Sequence, residues 1–200
     1  MLAYFNYLVP QTIKTTKSKI NGQIKVVNFL GKPRIIVNGL IQSGGLAEVI
    51  WKKGIKNVAK VFKPKKVLIL GLGGGTVAGL INQFFPKAEI VGVEIDKKII
   101  DLGKTYFNLD NVYNLKIINQ DAIYLVNNSY FNNKTFDLIL VDLYIGDQVP
   151  LKSESLVFLK NLNKLVSDKG IVVFNRLFYG RQKLTVEKFA VCSLKNPALD

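Results

Sequence analysis

The chain has 200 residues, 48% apolar and 21% charged, the balance of one globular protein with a real core. It contains no histidine and a single cysteine, Cys192, which excludes histidine metal sites, Ser-His-Asp triads and an internal disulfide framework, and fits a reducing cytosol. The formal charge of +14 is lopsided: residues 1–66 hold 13 Lys/Arg against Glu48 alone, whereas residues 67–200 hold 15 against 13 acids.

The start, "MLAYFNYLVP", lacks early positive charge and a small-residue cleavage site, so it is a poor signal peptide. Next, "TIKTTKSKI" and "QIKVVNFL" alternate as strands do, and Asn21-Gly22 between them is a two-residue hairpin signal. "GKPR" turns the chain into a further strand, "RIIVNGLIQ", ending at Gln42. These pieces predict a small antiparallel β-hairpin domain over residues 1–42. The spacing of Leu46, Val49, Ile50, Val58 and Val61 predicts a helix over 46–62, with Gly54 an awkward interior residue.

From Pro64 onward the chain alternates. Strands "KVLILG", "EIVGVE", "LKIINQ", "FDLILVD" and "GIVVFN" are separated by helices from about Thr76, from Asp96 to Tyr106, near Ala122 to Val126, and from Ser153 to Val166. Strands apolar on both faces predict a mostly parallel sheet covered by helices on both sides, an α/β Rossmann-like domain over residues 43–200. The apolar run Val67 to Ile81 is too short and glycine-rich to span a membrane, and the chain reads as cytoplasmic.

Right-handed crossovers put the carboxyl ends of parallel strands on one edge, where open α/β sheets bind ligands. The first strand is followed there by Gly71, Gly73, Gly74 and Gly75, where no Cβ intervenes and a helix start offers N–H groups. The alternative is a tight turn with no ligand. Glu94 closes the second strand 19 residues beyond Gly75, the offset of an acid that takes both hydroxyls of a ribose; Asp96 is read as the cap of the next helix. Asp121 suits either an adenine amine or a helix cap. Asp142 and Asp147, in "VDLYIGDQVP", suit a reactive centre or a polar turn. No metal site is expected.

On "RIIVNGLIQSG", "VLILGLGGGTV", "VGVEIDKKIIDLGKTYF", "NQDA" and "FDLILVD", the chain resembles the spermidine synthase family, within the S-adenosylmethionine-dependent methyltransferase fold, over roughly 12–178. The resemblance implies a β-hairpin domain on a Rossmann-like domain, a dimer, and S-adenosylmethionine or its decarboxylated form as cofactor. It implies Gln42 near the sulfonium end, Glu94 on the ribose, Asp121 on the adenine amine, Asp142 as the proton-accepting acid and Asp147 as the second acid. The chain departs from that pattern at Gly74, where the family has an aspartate, and at Trp51-Lys52, where it has Tyr-His. A lysine near the entrance and a basic first third also suit a polycation poorly. Folds of this kind usually end with an antiparallel strand pair. Here "RQKLTVEKFAVCSLKNPALD" reads as one helix, so the pair is expected to be missing, leaving an edge that dimerisation would cover.

The leading expectation is a transferase that alkylates a small-molecule or protein nucleophile, with methyl preferred over aminopropyl transfer. A true polyamine aminopropyltransferase is the alternative. A non-catalytic nucleoside- or nucleic-acid-binding module is a further one, motivated by the basic first third and by Tyr4, Phe5 and Tyr7 as stacking groups. A degenerate paralogue serving only as an oligomer partner is the last.

Overall fold

Two sheets organise the protein in the computed structural model, which describes residues 9–175 and 190–192. Tyr4, Phe5 and Tyr7, and most of the helix expected near the C-terminus, lie outside these residues.

The first sheet is antiparallel and runs in the order β1 (Gln11–Ser18), β2 (Gly22–Phe29), β3 (Lys32–Val37), β4 (Leu40–Ser43). Its alternation has one buried set: Ile24 and Val26 of β2 with Ile35 and Val37 of β3, packed on Ile99 and Leu102 of the helix Lys97–Tyr106. The edge strand β1 is largely exposed, and its Lys14 and Lys17 discourage pairing with another chain.

Two local details correct the sequence reading. The strand expected to run to Gln42 is two strands, because Asn38 (φ 49°) and Gly39 (φ 83°) turn the chain back on itself. The link at Asn21-Gly22 is a three-residue loop, Lys19 to Asn21, with Gly22 at φ 65° and Ser18 Oγ accepting from the Ile20 and Asn21 N–H groups.

Helix α1 (Gly45–Val61) follows. Its extent matches the prediction, but its inward face is different: Trp51, Ile55 and Val58 are buried, whereas Leu46, Val49 and Val61 are exposed. Trp51, the first buried side chain, comes more than one turn after the helix start, and of the apolar positions that set the spacing only Val58 is buried.

The second sheet contains β5 (Lys66–Leu70), β6 (Glu89–Glu94), β7 (Leu115–Asn119), β8 (Phe136–Val141), β9 (Val166–Phe174) and β10 (Ala190–Cys192), in the order β10-β9-β8-β5-β6-β7. All pairings except that of β9 with β10 are parallel. Between these strands run α2 (Thr76–Phe84), α3 (Lys97–Tyr106), α4 (Ala122–Asn127) and α5 (Leu156–Leu165). The expectation that the closing strands are missing is corrected in part: β10 sets Ala190 opposite Phe174 antiparallel on the edge of β9. A sheet edge recruits a strand through backbone N–H and C=O groups, which leave little side-chain signature.

Both faces of the parallel sheet are covered. Val67 and Ile69 of β5 join Trp51 and Ile55 of α1 and Ile81 of α2 in one cluster. Leu68 and Leu70 point the other way, joining Leu125 of α4 and Phe158 of α5. The unbroken apolar run of β5 is the consequence.

Candidate functional site

The strand order reverses at β5, with β6 and β7 to one side and β8 and β9 to the other. Loops leaving β5 and β8 therefore diverge and open a crevice at the strands' carboxyl ends. A cavity of about 340 Å³ lies there. Gln42, Gly71, Gly73, Glu94, Asp121 and Asp142 all line it, together with apolar walls from Leu72, Val77 and Ile99.

The glycine loop is tight against the protein. Gly71 has φ 92°, and a Cβ on it would strike the Asp142 carbonyl oxygen. Every N–H from Gly71 to Gly75 already has a protein acceptor. Gly71 and Leu72 donate to the Val93 carbonyl, Gly73 to Glu94 Oε2 at 2.8 Å, Gly74 to Ser43 Oγ at 2.7 Å, and Gly75 to the Leu72 carbonyl. The loop's own N–H groups are therefore occupied, while Thr76 and Val77, which open the next helix, lie in the cavity lining. Loops that cradle phosphate need those donors pointing at the ligand. This loop supplies curvature and room instead. Gly74 and Gly75 shape it from behind and are not among the cavity's lining residues.

Glu94 ends β6 facing that loop. Its Oε2 accepts from Gly73 and its Oε1 from the Asp96 N–H at 3.0 Å. A carboxylate has about four acceptor sites, so two remain for a vicinal diol. Burial pushes its pKa up from 4.5 to about 7; the Asp96 and Gly73 N–H groups pull the other way, and the nearby Asp96 charge adds to the rise. Asn119 steadies the strand end by donating to the Glu94 and Ile95 carbonyls. Asp96 caps α3 as expected, its Oδ1 accepting from Lys98 N–H at 2.9 Å.

Of the two roles weighed for Asp121, the helix cap is the one seen. Its Oδ1 caps α4 by accepting from Ile123 and Tyr124, and the residue also lines the cavity. Asp142 follows β8 and sits between two donors: Trp51 Nε1 at 2.8 Å from its Oδ2, and Asn175 Nδ2 at 2.9 Å from its Oδ1. Asp147 is different. It is exposed, and it is not among the cavity's lining residues, so the loop that carries both acids brings only Asp142 to the site. Lys52 is also exposed and away from the lining, whereas Lys152 lies in it.

Two contributors, Asn21 and Trp51, were not legible as site residues in the sequence, whereas Gln42 was expected there. Asn21 reaches from the first hairpin into the cavity wall, donating to Asp96 Oδ2 at 2.8 Å and accepting from the Gly146 N–H at 3.1 Å. Gln42 Nε2 holds the same Gly146 through its carbonyl at 2.6 Å. Trp51 grips Asp142. The Asn-Gly pair was fully explained by its turn, which masked a second use of the Asn21 amide.

Comparison with known proteins finds polyamine transferases and methyltransferases among similar chains. The spermine/spermidine synthase domain family matches residues 48–194. A polyamine aminopropyltransferase of Vibrio vulnificus is 29% identical over 113 residues, 56% of this chain and 38% of that protein. A probable polyamine aminopropyl transferase of Bifidobacterium longum is 30% identical over 131 residues, 66% of this chain and 28% of that protein. The chain thus spans well under half the length of either relative. An eEF1A lysine and N-terminal methyltransferase of Xenopus laevis is 27% identical, over 54% of this chain and 17% of that protein. Among solved structures, a spermidine synthase in complex with the transition state analogue AdoDATO superposes with a TM-score of 0.66 at 18% identity, covering 82% of this chain and 58% of that one. Human methyltransferase-like protein 13 in complex with SAH gives 0.51 at 20% identity, covering 66% and 62%. These two likenesses concern the fold. With the family match extending over most of its length, the chain belongs to the spermine/spermidine synthase domain family.

Proposed function

We propose that the protein is a spermidine-synthase-like transferase that holds an adenosyl sulfonium donor in the 340 Å³ cavity and passes an alkyl group, methyl in preference to aminopropyl, to a nucleophile beside Asp142. The observation that carries this reading is the direct pairing of the glycine loop with Glu94, which leaves carboxylate acceptor sites for a ribose and no loop N–H for a phosphate. A nucleoside without phosphates fits this pairing.

The residues present suit such a donor. Glu94 would hold the ribose diol, Asp121 the exocyclic amine of the base, and Gln42 would stand near the sulfonium end. Bound there, a sulfonium supplies an electrophilic carbon whose bond to sulfur breaks onto sulfur as the acceptor's lone pair attacks. The protein's part is alignment, exclusion of water and removal of the acceptor's proton by Asp142. Asp147, on the exposed side of the loop, is assigned no proton.

Two features favour methyl transfer. Position 74 is a glycine at which a Cβ would stand 2.7 Å from Ile35 Cδ1 and 3.0 Å from Ser43 Oγ, so an acid there requires those side chains to shift. An aspartate that would bind the amine of an aminopropyl donor is therefore absent and sterically disfavoured. Lys152 in the lining offers a cation to the carboxylate that S-adenosylmethionine keeps and its decarboxylated form lacks.

Isothermal titration with S-adenosylhomocysteine, its decarboxylated form, 5′-methylthioadenosine and ADP tests the reading. S-adenosylhomocysteine is expected to bind most tightly and ADP not at all. Absence of any nucleoside binding defeats the proposal, and a preference for decarboxylated S-adenosylhomocysteine reverses the choice of group.

A further inference from the structure

A second cavity, of about 210 Å³, adjoins the first. The two share Gln42, Ala47, Trp51, Asp142 and Tyr144 as a common wall. Beyond that wall the lining is aliphatic apart from Gly39 and Asn175: Leu40 and Ile41 of β4, and Leu46 and Ile50 of α1. Asp142 is the one charged side chain among its described lining residues, and both its oxygens already accept hydrogen bonds from Trp51 and Asn175. Leu46, at 60% exposure, forms part of this lining and leaves apolar surface uncovered beside it.

We propose that this second cavity is the acceptor site and that it takes an uncharged nucleophile on an apolar body, a phenol or thiol in chemical class, rather than a di- or polyamine. The inference rests on the transfer reading above and sharpens it.

The argument is one of desolvation. A diamine brings two ammonium groups, and each needs a carboxylate or several oriented carbonyls in exchange for the water it loses. Asp142, with two donors already bound, can answer one of them in part. The other would lie among Leu40, Ile41, Leu46 and Ile50. The chain's net charge of +14 further opposes the approach of a polycation. An apolar body gains where the ammonium loses, by taking Leu46 and Ile50 out of water. Asp142 lies in the shared wall, so a hydroxyl or thiol beside it faces the donor cavity while its body lies in the aliphatic one. Its proton passes to the Asp142 carboxylate as its lone pair forms the new bond to the donor carbon, and the broken C–S bond leaves its electrons on sulfur.

Isothermal titration of 4-methylphenol and of 1,4-diaminobutane decides the matter, each with and without saturating S-adenosylhomocysteine, on the unmodified protein and on Leu46→Glu. The phenol is expected to bind roughly tenfold or more tightly than the diamine. Leu46→Glu, at an exposed helix position outside the first cavity, is expected to weaken the phenol by roughly tenfold while leaving S-adenosylhomocysteine affinity unchanged. No measurable phenol binding, equal or tighter diamine binding, or an indifferent Leu46→Glu would each overturn the proposal. Failure of S-adenosylhomocysteine itself to bind would instead remove the transfer reading, and titrations without it would still decide the cavity's preference.

Discussion

Glu94 is asked to be two things at once, a buried group and an ionised acceptor. Burial lifts its pKa to about 7, and a diol held by both oxygens needs the charged form. Affinity for S-adenosylhomocysteine should therefore rise with pH, by up to about tenfold per unit below the pKa, and level off above it. Glu94→Gln should bind far more weakly and lose that pH dependence, which titrations between about pH 6 and about pH 8.5 would show. Asp142 and Asp147 offer a paired test. Asp142→Asn should abolish turnover while donor affinity changes by no more than a few-fold, and Asp147→Asn should leave turnover near that of the unmodified protein, since only Asp142 lies in the wall. Single-turnover assays separate the two. Equal losses in both variants would mean that the loop closes further than it does here.

At the scale of elements, Asn21 ties three pieces together: the β1–β2 turn, the start of α3 through Asp96, and the β8–α5 loop through Gly146. Gln42, at the end of the first sheet, holds the same loop. The small sheet thus fixes the site's roof. Asn21→Ala would leave Asp96 Oδ2 and the Gly146 N–H without these partners, at a cost of about 2 kcal/mol read from urea unfolding. It should also weaken donor binding, because the loop loses one of its two holds. The glycine loop makes a second test. Gly74→Asp alone should destabilise by roughly 1–3 kcal/mol through overlap with Ile35 and Ser43. Adding Ile35→Ala opens room beside the new side chain but removes a buried residue, so it should shift preference toward the decarboxylated donor without restoring stability.

For the molecule as a whole, Glu94 also sets a stability trend. Its folded pKa of about 7 lies above its ordinary 4.5, so the folded state holds the proton more tightly than the unfolded one. Stability without ligand is then greatest below the lower value and declines as pH rises through the upper, by on the order of 3 kcal/mol from this group. Urea midpoints at about pH 5 and about pH 8 should differ in that direction, and Glu94→Gln should flatten the difference. Bound nucleoside should oppose the trend, since it favours the ionised carboxylate.

The sequence by itself determined the order of elements, the parallel sheet, and the placing of Gly71, Glu94, Asp121 and Asp142 on one rim. Each of these is written locally, as an alternation, an apolar run, or a fixed step from a strand end to the next side chain. Only the tertiary structure decided the inward stripe of α1, the extra turn at Asn38 and Gly39, and the edge strand β10. The same holds for the occupied N–H groups of the glycine loop and the exposure of Asp147. The contacts that make the site are distant along the chain: Asn21 meets Asp96 across 75 residues, Trp51 meets Asp142 across 91, and Gly146 meets Asn21 across 125. Hydrogen bonds between such partners form only once packing has brought the elements together, and no periodicity along the chain encodes them.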